Sequence, residues 1–469
     1  MSKLTLAIIM GNRDFFPDSL VSEARSEILS VMKELDIEPL LLDENDTKLG
    51  AVETWTHAQR CAELFRANRE RIEGVLITLP NFGDEKGVAD TIRLAGLDVP
   101  ILVQAYPDDL GQLMVERRRD SFCGKVSVCN VLRQYGLSFT LTEEHTVHPL
   151  SDSFKQDLQR FVSVCRVVRG LRAARFGAVG SRPGAFNTMR YSEKLLEASG
   201  ISITTLDLSD VYGWAEKLKD DDPRVSSRMT DIMSYADATA VPPKPLLQMA
   251  KLGVVLTGWM KENGIRATGI QCWTSLQKNF GINACTLMSM MGEALMPSAC
   301  ETDMTGVVAM YALQLASGKP SALADWNNNY GSDPDKCVLF HCGNWPRSFL
   351  QGAKIGQAEI LGSTLGNENT YGALAGRTPA GPVTFARVTT DDFQGRIRCY
   401  LGEGYFTDDP LKTFGARAVV QVPGLKKLMQ YICKNGFEHH VAMNPSHSAA
   451  VLAEVFENYL GWETYSHQG

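Results

Sequence analysis

The sequence predicts an α/β protein: two doubly wound parallel α/β domains followed by a C-terminal antiparallel, barrel-like β domain. Three observations predict this. Short apolar runs alternate with amphipathic helical stretches through residue 172. The same alternation resumes at Arg175 and continues to Tyr330. Beyond Tyr330 the composition shifts to short β-like runs separated by Gly, Pro, Asn and Thr. The 469 residues leave room for several domains, and the chain is divided at 1–172, 173–330 and 331–469.

In the first domain, Leu4–Met10 is an apolar strand, too short to span a membrane and followed by no small-residue cleavage site. It is read as a first strand and not as a signal peptide, so no membrane partner is expected. Leu20, Val21, Ala24, Ile28, Val31, Met32 and Leu35 then recur at helical spacing. Pro39–Leu42, Gly74–Pro80 and Val99–Gln104 are the next strands, with helices at His57–Ile72 and from Asp90 between them. No G-x-G-x-x-G follows the first strand, which disfavours a dinucleotide. Polar groups stand where these strands end: Asn12 and Arg13, then Asn81, then Gln104. At the carboxyl ends of parallel strands such groups line a ligand crevice, and as a set they suit a polyhydroxylated ligand. Taken singly, each is better read as satisfying turn backbone. Arg117-Arg118-Arg119 is either an anion contact or a solvated face.

The second domain opens with the strand Arg175–Gly180 and the turn Ser181-Arg182-Pro183-Gly184, expected to lead into a helix through Leu196. With Arg182, that turn could face an anion. Ile201–Leu206 and Thr268–Trp273 are further strands, the latter ending in the polar–aromatic cluster Gln271-Cys272-Trp273. The stretch from Met296 to Tyr330 reads as strand, apolar helix, strand, which would make its two strands parallel neighbours and set Glu301 and Asp325 side by side. Adjacent carboxylates repel unless a proton or cation separates them. They are a metal or acid–base pair, or else two helix caps. In the third domain Cys337–His341, Ala358–Leu361, Gly381–Val388, Gly395–Glu403 and Ala416–Val422 are β-like, and the chain closes with Phe437–Met443 and a helix over His447–Leu460.

Hydrophobic content of 44% and charged content of 22% are those of an ordinary globular chain. The net charge of −7 argues against nucleic acid as a partner. The 11 cysteines are odd in number, scattered and without a C-x-x-C pair, which excludes a zinc ribbon or dithiol motif. Cys165, Cys337 and Cys433 stand in apolar surroundings and are expected to be buried free thiols, a usage that fits the cytoplasm.

Ala299-Cys300-Glu301-Thr302-Asp303-Met304-Thr305-Gly306, followed one helix later by Ala324-Asp325-Trp326-Asn327, resembles the paired metal-carboxylate motifs of the L-fucose isomerase and L-arabinose isomerase superfamily. Gly269–Thr274 resembles the polar–aromatic strand that precedes them, and Glu438-His439-His440-Val441-Ala442 the late metal-histidine segment. The order of domains matches as well, although the chain is shorter than the archetypal L-fucose isomerases. The resemblance implies an aldose–ketose isomerase acting on a monosaccharide, with manganese (or magnesium or cobalt) held by Glu301, Asp325 and His440, and with His439 as the alternative imidazole. Glu301 or Asp325 would move a proton between C1 and C2 through an enediol, a hydride shift being the competing route. Arg13, Asn81, Gln104, Gln271, Trp273 and His439 would bind sugar hydroxyls or stack on the ring, and a homo-oligomer is implied. His341 and His447 could support the site. A 6-sulfo or other anionic sugar stays open beside the neutral ones. So do two other classes, a non-catalytic sugar-binding protein and a metal-dependent aldolase or hydrolase.

Overall fold

The computed structural model describes residues 3–469. The chain divides into two units, one comprising the chain up to Arg169 with Asn458–Leu460, the other Gly170–Glu457 with Gly461–Gly469.

The first unit is built on β1 (Thr5–Met10), β2 (Glu38–Leu40), β3 (Ile72–Leu79), β4 (Ile101–Ala105) and β5 (Thr140–Leu141). They pair in parallel in the order β2-β1-β3-β4-β5. Every residue of β1 and β4 is buried, as continuous apolar strands covered on both faces must be. The helix Asp18–Glu34 buries Leu20, Val21, Ala24, Ile28, Val31 and Met32, the stripe written in its sequence. Residues 458–460 join this unit through the Tyr459 hydroxyl, which donates to the Ile101 carbonyl at 3.2 Å, and the Asn458 amide, which donates to Phe139 O at 2.8 Å.

The second unit holds two sheets. β6 (Arg175–Val179), β7 (Ser202–Leu206), β8 (Ala267–Ile270) and β9 (Ser298–Ala299) pair in parallel in the order β7-β6-β8-β9. The larger sheet contains β10 (Ala322–Asn329), β11 (Lys336–His341), β12 (Gln351–Gln357), β13 (Tyr371–Arg377), β14 (Gly381–Asp391), β15 (Arg396–Thr407), β16 (Ala416–Gln421), β17 (His440–Asn444) and β18 (Glu463–Ser466). Its order is β12-β13-β16-β11-β10-β17-β14-β15-β18, with an additional pairing of β15 to β16.

This topology corrects the reading of 296–330. β9 and β10 are not parallel neighbours: β9 ends the smaller sheet, while β10 lies antiparallel between β11 and β17 in the larger one. The reason lies in the helix between them, Met304–Ser317, which is buried almost all round. It packs on β6 and β8 on one side and on β14 and β17 on the other. A helix apolar on every face is a layer between sheets and not the cover of one sheet, so it hands the chain from one sheet to the next.

Other differences are local. The larger sheet is mixed and not purely antiparallel, since β13 runs parallel to β16 and β18 to β15. Ala358–Leu361 is not a strand; Glu359–Leu365 is helical. The closing helix covers only Ala449–Ala453, widens into a π-helical turn at Glu454–Tyr459, and is followed by β18. The turn at 181–187 leads into a 3-10 turn, Asn187–Met189, and only then into the helix Glu193–Ala198. Cys433 is exposed, because it sits on the outer side of the amphipathic helix Leu425–Lys434. Among the described residues no helix is long and apolar enough to cross a membrane.

Gly269 in β8 lies against the chain that follows β9. A Cβ there would stand 2.6 Å from Met304 Sδ and 3.2 Å from the Thr302 backbone. Gly269→Ala should therefore overpack this contact and cost about 1–3 kcal/mol of stability. Urea unfolding of the variant beside wild type measures it; equal midpoints would show that the contact relaxes freely.

Candidate metal centre

The chain leaves β9 and turns at once. Glu301 (φ 55°, ψ 21°) and Thr302 (φ 56°) are both in the left-handed region. For residues with a Cβ this conformation costs energy and persists only where the surroundings impose it. The imposing element is Asp303, which caps the helix Met304–Ser317: its Oδ1 accepts from Gly306 N at 2.9 Å and from Thr305 Oγ1 at 3.2 Å. Gly306 is required at that cap, since a Cβ would stand 2.5 Å from Asp303 Oδ2.

The turn presents Glu301, 4% exposed, with its two oxygens in different surroundings. Oε1 accepts from Trp273 Nε1 at 2.9 Å and from Cys272 Sγ at 3.5 Å. Oε2 is buried with no hydrogen-bond partner among the described residues. It lies 3.6 Å from His440 Nε2 and 3.7 Å from His341 Nε2. Asp325, on β10, stands directly opposite His440, the first residue of β17. Its Oδ1 is 3.4 Å from His440 Nε2 and 3.6 Å from His439 Nε2. The strand register thus supplies one carboxylate and the imidazole, and the strained turn supplies the other carboxylate.

His440 is held in one orientation. Its Nδ1 meets Asp303 Oδ2 at 2.9 Å. A carboxylate accepts only, so Nδ1 carries the proton and Nε2 turns its lone pair toward Glu301 and Asp325. Asp303 is fixed in turn by Arg387, a fully buried residue of β14, whose guanidinium reaches Oδ2 at 2.5 Å and Oδ1 at 3.0 Å. Arg387 also donates to Glu438 Oε2 at 3.0 Å and to Thr305 Oγ1 at 2.8 Å, and Glu438 Oε1 accepts from Thr389 Oγ1 at 2.6 Å. Burial would push the Asp303 carboxyl up, but the Arg387 charge and the His440 hydrogen bond hold it far below the usual carboxylate range. Burial opposes a charge on His440, yet the hydrogen bond to Asp303 and the charges of Glu301, Asp303 and Asp325 raise it. The field that favours a proton there favours a cation equally.

His341, the last residue of β11, is the opposite case. The Cys342 amide donates to its Nδ1 at 3.0 Å, so in the neutral ring the proton sits on Nε2, facing Glu301 Oε2. It is a donor toward the site where His440 is an acceptor. Two groups of side chains, Glu301 with His341 and His440, and Asp325 with His439 and His440, have ligand atoms within 4.8 Å of one another. An unpartnered carboxylate oxygen, a second carboxylate and an oriented imidazole make a hard, oxygen-rich donor set, which fits a divalent cation of the manganese or magnesium kind.

Of the other expected residues, Trp273 is in the site, holding Glu301. Gln271 is beside it, its Oε1 accepting from Ser181 N at 2.9 Å. His439 stands at the rim, with a side chain 41% exposed. Phe186, from the turn after β6, lies edge-on to both the Trp273 and His439 rings at 5.1 and 5.7 Å. In the first unit, Asn81 Oδ1 accepts from Arg13 N at 3.3 Å and from Gly83 N at 3.1 Å. Arg13 donates to Gly83 O at 2.7 Å and pairs with Glu85. Gln104, fully buried, accepts from Thr78 Oγ1 at 2.5 Å and donates to Val147 O at 2.7 Å. Arg117 and Arg119 share Glu23 and Arg118 pairs with Asp120, so most of that cluster's charge is met locally. His447 is paired with Glu403 at 3.0 Å. Asp303 was legible as a cap but not as the partner of His440, and Arg387 and Glu438 carried no signal beyond Glu438 preceding the two histidines.

Residues 7–172 match the family described as Fucose/sulfoquinovose isomerase, N-terminal domain, and residues 339–467 match L-fucose isomerase, C-terminal domain. Fold, site and matches together define a sugar aldose–ketose isomerase, an enzyme of the intramolecular oxidoreductase class. The chain belongs to the fucose-isomerase-related superfamily. Among similar proteins, a sulfoquinovose isomerase of Alkalicoccus urumqiensis is 25% identical over 362 residues, covering 74% of this chain and 75% of its own. A sulfoquinovose isomerase of Priestia aryabhattai is 23% identical over 383 residues, 80% of this chain and 81% of its own. A third, from Clostridium sp. (strain MSTE9), is 23% identical over 335 residues, 69% and 71%. A solved periplasmic solute binding protein of an ABC transporter from Actinobacillus succinogenes 130z, with bound D-allose, covers 68% of this chain and 93% of its own at 11% identity, but the TM-score of 0.17 gives that likeness no weight.

Asp303→Asn removes the charge facing buried Arg387 and the acceptor that orients His440. It should cost about 3–5 kcal/mol of stability and weaken manganese binding about 10–100-fold. Chemical unfolding and manganese titration read the two effects separately, and unchanged metal affinity in a folded variant would show that His440 needs no orienting partner.

Proposed function

We propose that this isomerase acts on a 6-sulfo sugar of the sulfoquinovose type, with a divalent cation, manganese in the first place, held by Glu301, Asp325 and His440. The observation that carries the reading is Glu301 Oε2: a buried carboxylate oxygen with no hydrogen-bond partner among the described residues, facing the lone pair of an oriented histidine. A buried acceptor left unsatisfied in this way is costly unless a ligand completes it. The cation, when bound, supplies Lewis acidity at the sugar's O1 and O2.

The chain's own residues do the rest. Glu301 or Asp325 takes the proton from C2 of the aldose and returns it at C1, the carbon framework passing through a cis-enediol. Trp273 keeps Glu301 Oε1 occupied, which leaves Oε2 free to face the cation. His341 offers its Nε2 proton to an oxygen in the site. Phe186 and Trp273 form an apolar wall that limits water. Gln271, Trp273 and His439 bind hydroxyls or stack on the ring.

One observation supports an anionic substrate: the similar isomerases are named for sulfoquinovose. Beside Thr302, the residue after Glu301, a cavity of about 1030 Å³ is lined by Arg182, Arg190 and Arg398 and by Glu193, Asp391, Asp392 and Glu438. We assign the sulfonate end of the sugar to its Arg182 and Arg190 side. We also read the pairing of β15 with β16 as the seam of a barrel formed by β11-β10-β17-β14-β15-β16, with Asp325, His341 and His440 around one mouth. The protein is taken to be a cytoplasmic homo-oligomer, and the divisions at 172 and 330 are kept as its functional parts.

The test is incubation of the metal-loaded protein with sulfoquinovose, glucose, fucose and arabinose, reading ketose formation. Sulfoquinovose should turn over well above its neutral analogue, and equal rates would remove the anionic half of the reading. Glu301→Gln should lower kcat about 10²–10⁴-fold, and chelation should abolish activity until manganese is returned. Full activity in Glu301→Gln would place the site elsewhere.

A further inference from the structure

Four thiols lie behind Glu301, gathered from four separate segments: Cys272 after β8, Cys285 at the start of the helix Cys285–Glu293, Cys300 after β9 and Cys342 after β11. All four are free; Cys272, Cys285 and Cys300 are buried and Cys342 is half-buried. Two of them, Cys272 and Cys300, close on Glu301. The thiols of Cys272 and Cys300 and a carboxylate oxygen of Glu301 all lie within 4.8 Å of one another, and Cys272 Sγ contacts Oε1 at 3.5 Å. This is the face of the carboxylate turned away from the histidines, which meet Oε2.

We propose that Cys272, Cys300 and Glu301 Oε1 form a second cation site, selective for thiophilic divalent ions such as zinc and cadmium, whose occupation inhibits the enzyme by drawing Glu301 away from the first. Two sulfurs and one oxygen are the donors such ions take and manganese and magnesium avoid. Metal–sulfur and metal–oxygen bonds of about 2.3 and 2.1 Å need the three donors to close in only slightly. Each thiol releases a proton to solvent as its metal–sulfur bond forms. Access is the path that any cation takes to Glu301, past Asp325 and His439, whose side chains are 24% and 41% exposed; the thiols are one contact deeper. A cation on Oε1 displaces the Trp273 hydrogen bond and competes with the hard cation for the same carboxylate, so each ion weakens the other. Inhibition rests on the proposed role of Glu301; binding does not.

The experiment uses the full chain with the exposed Cys123 and Cys433 changed to Ser, loaded with manganese and titrated with cadmium. The thiolate-to-cadmium charge-transfer band and isomerase activity are followed together. Band and inhibition should rise in parallel, saturate at one cadmium per chain and reverse on chelation. Cys272→Ser, read against its own cadmium-free activity, should lose the band and need at least about 10–100-fold more cadmium for the same inhibition. Manganese-free protein should take up cadmium more tightly. No band at equimolar cadmium, a band unchanged by Cys272→Ser, or a full band without loss of activity would each overturn the proposal. A protein that shows the band but isomerises no sugar even without cadmium would instead overturn the functional reading and leave the thiol site standing.

Discussion

The second unit is organised around the carboxylate of Asp303. One oxygen meets His440 and Arg387, the other Arg387, Thr305 and the Gly306 amide. It is a helix cap, half of a buried ion pair and the orienting partner of a histidine at once. Because the helix it caps is packed between the two sheets, the ion pair ties the end of β9 to β14 and β17. A buried ion pair is weak support for stability as such. Its contribution here is positional: it fixes which nitrogen of His440 bears the proton and where the other one points.

From this arrangement the site follows. The tight turn at Glu301 and Thr302 is a backbone conformation that the residues would not choose alone, and the cap immediately after it holds it in place. The turn brings a carboxylate from the smaller sheet to a pair, Asp325 and His440, that the larger sheet sets opposite each other by register. The two carboxylates belong to different sheets, so their approach depends on the layer between those sheets and not on strand adjacency. Any change that shifts the Met304–Ser317 helix moves Glu301 relative to Asp325, which couples core packing directly to site geometry.

Much of the fold was legible because periodicity reports burial. The alternation over the first unit and the stripe on its first helix translate directly into strands and a covering helix. The misplacement of β10 has the same root: strand, apolar helix, strand is ambiguous between one sheet and two, and only the all-round burial of Val307–Ala316 decides. Among the candidate residues, Glu301, Asp325 and His440 were visible through motifs, and the structure sets an oxygen of each carboxylate 3.6 and 3.4 Å from His440 Nε2. Arg387 was not visible, because a single charged residue in the run Val383–Val388 carries no sign of its partner. It points inward to a partner 84 residues away, and no local pattern encodes a pairing at that distance. His341 was seen as a possible supporting histidine at the end of a strand, but its tautomer, which depends on one backbone amide, was not.

The central claim is that Glu301 Oε2, Asp325 Oδ1 and His440 Nε2 hold one divalent cation. Crystals of the protein grown with manganese, measured at the manganese absorption edge, test it most directly. The account predicts one strong anomalous peak per chain, within bonding distance of those three atoms, with Asp303 still on His440 Nδ1 and Trp273 still on Glu301 Oε1. A peak centred on other ligands, or fully manganese-loaded crystals with no peak among these three, would contradict it.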